Sequence, residues 1–324
     1  MIQPVLQFIL FPIMYSRNRF QYETATGRGT LPAVFFISLI LWLIPSIGDW
    51  EQLGSFLCAS ACAYLLQETD TRFALIRTRT TLPSALFLLG YASFTFLHGW
   101  SASCLLPVCF IGILYSLFHS YESPYASTTI FHAFLWLGIA GLIVPTFCWL
   151  APFMYIYMIN LRSFSARSFF AGIIGLFLPL WFLFCYQLYI GEGSRILPKL
   201  AEMVTFAPIR YDQGVEVWIS WGITLILSVI YGVVYLQDSY KDKVQTRIMM
   251  RCVLLMGLCI HLIMLVQPHL VPDLLPVALI PAALAGGHLF ALSFKRFTYW
   301  LFVATLAVIG LLFVFNLWMH LFNC

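Results

Sequence analysis

The chain has 324 residues, of which 61% are hydrophobic and only 9% are charged, whereas soluble domains carry roughly 25% charged residues. This composition excludes a water-soluble globule. The net charge of +4 is also too small for the strongly basic surface of a nucleic-acid-binding protein. We therefore predict an all-α, polytopic transmembrane bundle that contacts membrane lipids and binds no nucleic acid.

Apolar blocks separated by charged residues, Pro or Gly predict about 11 membrane helices, with a range of 10 to 12. Residues 1–30 precede them and are predicted to form an interfacial helix, over 1–15, and a basic cytoplasmic loop. Residues 31–324 form a single transmembrane domain. Its helices are expected at 31–46, 53–67, 82–97, 101–119, 128–144, 146–161, 169–190, 217–236, 248–267, 274–293 and 298–319.

Pro145 divides one long apolar run into the helices 128–144 and 146–161, and a re-entrant hairpin over 128–161 is the alternative. Small residues at four-residue spacing predict close helix packing. These sets are Ser55, Ala59 and Ala63; Ala171 and Gly175; and Ala282 and Gly286.

The positions of Lys and Arg predict the orientation, because cationic loops resist translocation. With the N-terminus in the cytoplasm, 14 of the 17 Lys and Arg residues lie on the inner side, and three lie on the outer side. Eleven crossings then place Cys324 outside. We predict a multi-pass protein of the bacterial inner (cytoplasmic) membrane with an extracytoplasmic C-terminus.

The sequence places seven acids on the outer side: Asp49, Glu51, Glu192, Glu202, Asp212, Glu216 and Asp273. The first outer loop carries Asp49 and Glu51 on either side of Trp50. A carboxylate held at an apolar boundary can serve as a general base, and two together can hold a divalent cation. Trp50 could stack on a sugar ring or belong to an interfacial aromatic belt. The alternative for the two acids is an ordinary solvated turn.

The longest outer segment, 191–216, can form an amphipathic helix at the interface. It holds the three outer cations, Arg195, Lys199 and Arg210. These side chains could bind an anionic lipid head group, or they could anchor a surface helix by snorkelling.

Histidines and cysteines are the remaining candidates for chemistry. His132, His261 and His288 lie inside predicted helices, where an ionisable residue is a functional candidate, but none has a His or carboxylate three or four positions on. The nine cysteines resemble buried small hydrophobic residues more than a disulfide framework. Motifs for soluble nucleotides and for metal sites are absent, so we predict no resident cofactor or metal.

The run Thr129–Pro145, TIFHAFLWLGIAGLIVP, resembles a segment of GT-C type membrane glycosyltransferases. In those enzymes a helix rich in Gly, Leu and Ala ends outside at a Pro. Leu82-Pro83 and the sequence from Arg167 to Pro179 are similar to an uncharacterised family of polytopic inner-membrane proteins of Bacteroidota, over roughly 25–190. The chain departs from the GT-C pattern at Val144, where Lys or Arg is usual.

The GT-C resemblance implies a polyprenyl-phosphate-linked sugar donor and an extracytoplasmic active site. By position, Asp49 or Glu51 would be the acidic residue of the first outer loop, and Arg195, Lys199 or Arg210 would stabilise the departing phosphate. Two alternatives stay open: a non-catalytic membrane component of cell-envelope assembly or secretion, with protein partners that the sequence does not identify, and a transporter of lipid-linked intermediates.

Overall fold

The computed structural model describes residues 19–45, 50–123, 126–191 and 211–322, with the backbone alone at positions 19, 50 and 51. Within these ranges the chain is all-helical and contains no strand. The helices are α1 (Arg19–Thr26), α2 (Thr30–Leu43), α3 (Trp50–Phe73), α4 (Leu82–Ala92), α5 (Leu106–His119), α6 (Ala126–Ile143), α7 (Ala151–Asn160), α8 (Ala166–Ile190), α9 (Val215–Asp238), α10 (Val244–Val266), α11 (Val271–Leu292) and α12 (Arg296–Phe322).

Short 3₁₀ turns connect several of these helices. They lie at Thr95–Leu97, Ala102–Leu105, Pro145–Leu150, Ser239–Lys241 and Pro268–Leu270. The predicted break at Pro145 is confirmed, since Val144 is extended, with φ −125° and ψ 99°, as the residue before a proline usually is.

Seven helical segments of the described ranges are long and apolar enough to cross a membrane, or up to eight if α1 and α2, which are bent by 93°, form one span. The protein therefore has the features of a multi-pass membrane protein, and the predicted number of about 11 spans is not confirmed. Helix α4 has only 11 residues and α7 only 10, about half of the length that a bilayer core requires. Helix α3 carries several charged residues, including Asp70 and Arg72.

Helix α11 lies at the centre of the bundle and is almost entirely buried. It packs against α4, α9, α10 and α5. Its side chains from Leu274 to Gly287 are all apolar, as expected of a helix surrounded on every side. Helices α8, α9 and α12 leave most of their surface exposed, so they form the periphery.

Close helix packing is confirmed at Gly175, which lies in the tight contact between α6 and α8. A Cβ atom added at Gly175 would approach the carbonyl oxygen of Phe131 to 2.4 Å. The reciprocal glycine, Gly138, faces the carbonyl oxygen of Leu176, where an added Cβ would lie at 2.5 Å. The two backbones can approach this closely only because neither glycine has a side chain.

Contacts between distant residues define two ends of the bundle, which we name outer and inner after the predicted orientation. At the outer end, Ser103 bonds Asp273 and Asn316 donates to the carbonyl oxygen of Ser93 at 2.8 Å. At the inner end, the amide of Gln21 donates to the carbonyl oxygen of Phe290 at 2.8 Å. These contacts agree with the alternating chain direction that the predicted loops require.

Candidate functional site

Most of the sequence-predicted site residues lie outside the described residues. These are Asp49, Arg195, Lys199 and Arg210, together with most of the predicted amphipathic segment 191–216. Trp50 and Glu51 are described by their backbone alone, in the first turn of α3. Their proposed roles remain predictions, as does the interfacial helix over 1–15.

The outer end contains a cavity of about 300 Å³ between the chain that follows α4 and the first turns of α11. This volume is at the lower end of the roughly 300–1,000 Å³ range of small-molecule sites. The polar groups that line it come from Tyr91, Ser101, Ser103, Cys104 and Asp273, and Trp100 is one of its aromatic residues.

Residues that follow α4 can line this cavity because α4 ends at Ala92, five residues before the end predicted from the sequence. The Ser93 hydroxyl donates to the carbonyl oxygen of Gly90 at 2.7 Å. Phe94 then leaves the helical region, with φ −96° and ψ 76°. The helix is thereby shortened, and residues 95–101 fold across the outer end of the bundle.

His98 fixes residues 95–101 to the helix bundle. Its ring stacks on Trp42, with centroids 4.0 Å apart and planes at 12°, and its Nε2 atom lies 3.2 Å from the carbonyl oxygen of Ala92. The Ser55 hydroxyl of α3 donates to the carbonyl oxygen of His98. Burial lowers the pKa of His98 to about 4, so the ring is neutral at physiological pH and acts as an aromatic anchor.

Asp273 supplies the only carboxylate among the described residues of the cavity wall. It lies in the first turn of α11, where the positive end of the helix dipole favours a negative charge. The Ser103 hydroxyl donates to its Oδ1 atom at 2.6 Å. Asp273 was anticipated from the sequence as one of several outer acids, but its position beside Ser103 was not.

Trp100 connects the cavity to α3. Trp100 is 52% exposed, and its ring lies against Gly54, where an added Cβ would be 3.0 Å from Cε3. Gly54 is one turn beyond the backbone of Trp50 and Glu51. The backbone at the start of α3 therefore lies close to the cavity wall.

A second polar cluster lies at the inner end, around Asp242 in the turn between α9 and α10. The His288 Nε2 atom of α11 lies 2.8 Å from Asp242 Oδ2, and the Asp242 side chain is 1% exposed. Arg77 Nε lies 3.3 Å from Asp242 Oδ1, which is ion-pair distance although the direction is not that of a hydrogen bond. The Tyr235 ring meets the His288 ring edge-on at 4.8 Å.

This inner cluster joins three separate parts of the chain around one buried carboxylate. The guanidinium of Arg77 also donates to the carbonyl oxygen of Lys241 at 3.4 Å, which ties the loop after α3 to the same turn. The arrangement can fix the inner end of α11. His288 has no His or carboxylate three or four positions on, so the sequence did not predict this contact. Its partner, Asp242, lies 46 positions away in the chain.

The other two intramembrane histidines differ from His288. His261 is buried, and its Nε2 atom lies 3.2 Å from the Ser228 hydroxyl. His132 is exposed on the surface of α6. In the part of the chain that the structure describes, no group of three or more His, Cys, Asp and Glu side chains is arranged to hold a metal ion.

Comparison of the chain with protein-family models, with curated proteins and with solved structures finds no match. The outer cavity and the inner cluster are therefore interpreted from their own residues and geometry.

Proposed function

We propose that this chain is a GT-C-like glycosyltransferase that acts on the outer side of the bacterial inner membrane. It would transfer a sugar from a polyprenyl-phosphate donor to a hydroxyl-bearing acceptor. The acceptor would occupy the outer cavity, beside Asp273 and Trp100. The observation that carries the proposal is this 300 Å³ cavity with a carboxylate and a half-exposed indole.

The roles of the residues follow from charge and position. Asp49 or Glu51 would be the general base that removes the acceptor proton. The outer cations Arg195, Lys199 and Arg210 would stabilise the negative charge on the departing phosphate. Support for the base comes from the proximity of Gly54, in the first turns of α3, to Trp100 of the outer cavity.

The two alternatives make different demands on the structure. A transporter of lipid-linked intermediates requires a polar path through the membrane core, whereas the central helix presents only apolar side chains over 274–287. A non-catalytic component of envelope assembly requires no cavity of this kind at the outer end. The cavity therefore favours the transferase over both.

The test is to replace the predicted bases with their uncharged isosteres and to measure lipid-linked glycans and their transfer products. We expect Asp49→Asn or Glu51→Gln to abolish transfer, because removal of a general base typically lowers rates by about 10²–10⁴-fold. The matched control is Asp212→Asn, which removes an exposed acid of the same predicted side. Normal products in both single variants and in the double variant would refute the proposal.

A further inference from the structure

The charge of the outer cavity restricts what it can bind. Among the described residues of its lining, Asp273 is the one carboxylate, and Lys, Arg and His are absent. Ser103 bonds to Oδ1, and the side chain is only partly exposed. A carboxylate with restricted hydration is stabilised by a cation that pairs with it.

The shape of the wall adds a second restriction. The Trp100 ring lines the cavity and also lies against Gly54 of α3, where an added Cβ would be 3.0 Å from Cε3. Phe96 and Tyr91 extend the aromatic surface of the same cavity. The face of an indole packs against the apolar face of a sugar ring.

Anionic groups are disfavoured at the same site, because like charges repel in a partly desolvated cavity. The phosphate of a lipid donor would therefore bind elsewhere, and the proposed outer cations Arg195, Lys199 and Arg210 satisfy that requirement. The volume of about 300 Å³ admits one small ring-sized molecule rather than an extended chain.

We propose that the outer cavity binds a small molecule in which a protonated amine accompanies a hydroxylated ring, as in an amino sugar. Asp273 pairs with the ammonium group, and Trp100 packs against the ring. This inference rests on the proposed function only in assigning that molecule the part of the acceptor. The binding site itself follows from the charge, aromatic surface and volume of the cavity.

The probes are glucosamine and glucose, which differ at one position by an ammonium group in place of a hydroxyl. Binding to the purified full-length chain in detergent micelles is measured by calorimetry and by tryptophan fluorescence, at a pH at which the amine is protonated. We expect glucosamine to bind about tenfold or more tightly than glucose, the usual effect of one charge-assisted hydrogen bond. Equal binding of the two sugars would overturn the proposal.

Three variants test which side chains bind the ammonium group and the sugar ring. Asp273→Asn should remove the preference for glucosamine, whereas Asp212→Asn, at an exposed outer acid, should retain it. Trp100→Leu should weaken the binding of both sugars and leave the preference intact, which provides a second test if Asp273→Asn fails to fold. A preference that survives in Asp273→Asn, or that disappears in Trp100→Leu, would contradict the assigned roles.

The glycan assay separates this inference from the proposed function. If the Asp49 and Glu51 variants lose transfer but the wild type shows no preference for glucosamine, the amine site is wrong and the transferase stands. If glucosamine is preferred while the variants transfer normally, the amine site stands and the transferase is wrong.

Discussion

Removal of the Asp242 carboxylate is expected to destabilise the inner end of the bundle strongly. The side chain is 1% exposed and accepts from His288, whose side chain is 6% exposed. In Asp242→Leu the imidazole N–H stays buried without an acceptor, which costs about 1–3 kcal/mol, and about 3–5 kcal/mol if the ring carries a charge. Arg77 is 46% exposed, so water replaces its lost contact at little cost. We expect a total loss of about 3 kcal/mol.

The matched control is Glu122→Gln. Glu122 pairs with Arg162 at 3.0 Å, but these side chains are 46% and 77% exposed, so their ion pair should contribute less than about 1 kcal/mol. The assay is reversible unfolding of the purified protein in mixed micelles, followed by circular dichroism. Asp242→Asn retains an acceptor oxygen and should lose less stability than Asp242→Leu. If Asp242→Leu is no less stable than Glu122→Gln, the inner cluster does not hold the bundle together.

Two further predictions concern stability. Gly175→Ala should separate α6 from α8 and lower the free energy of unfolding by about 1–3 kcal/mol in the same assay. Gly310→Ala should have no such effect, because an added Cβ there meets nothing within 4 Å. Equal effects of the two substitutions would contradict the close packing of α6 against α8. Asp70 lies beyond the apolar part of α3. Burial raises its pKa from 3.8 to about 7, so Asp70 holds its proton more strongly in the folded state than in the unfolded state. This stabilisation is complete below about pH 4 and is lost as the pH rises through about 7. Asp70→Asn should flatten that part of the pH–stability curve, and an unchanged curve would exclude Asp70 as its origin.

The helices were predictable because their signals are local. Runs of apolar residues ended by charges, Pro or Gly located helix in each of the eleven predicted segments from 31–46 to 298–319, and the proline rule located the break at Pro145. The span count was not predictable in the same way. No Pro or charged residue marks the early end of α4 at Ala92, and hydropathy does not reveal the 93° bend between α1 and α2.

The polar clusters were missed because their partners are distant in the sequence. His288 and Asp242 are 46 positions apart, and Ser103 and Asp273 are 170 positions apart. A search for partners three or four positions along the chain finds neither pair. The sequence identified Asp273 as an outer acid and His288 as an intramembrane histidine, but only the packing of α11 against its neighbours brings each one to its partner.

The measurement that tests the account most directly is the sidedness of the outer cavity. Ser101→Cys places a thiol at an exposed position of the cavity wall, and Arg79→Cys places one at an exposed position of an inner loop. Cells that express each variant are treated with a membrane-impermeant maleimide, and the wild type gives the background from native cysteines. We predict that Ser101→Cys is labelled in intact cells and that Arg79→Cys is labelled only after permeabilisation. The reverse pattern would place the cavity on the cytoplasmic side and contradict the proposed site.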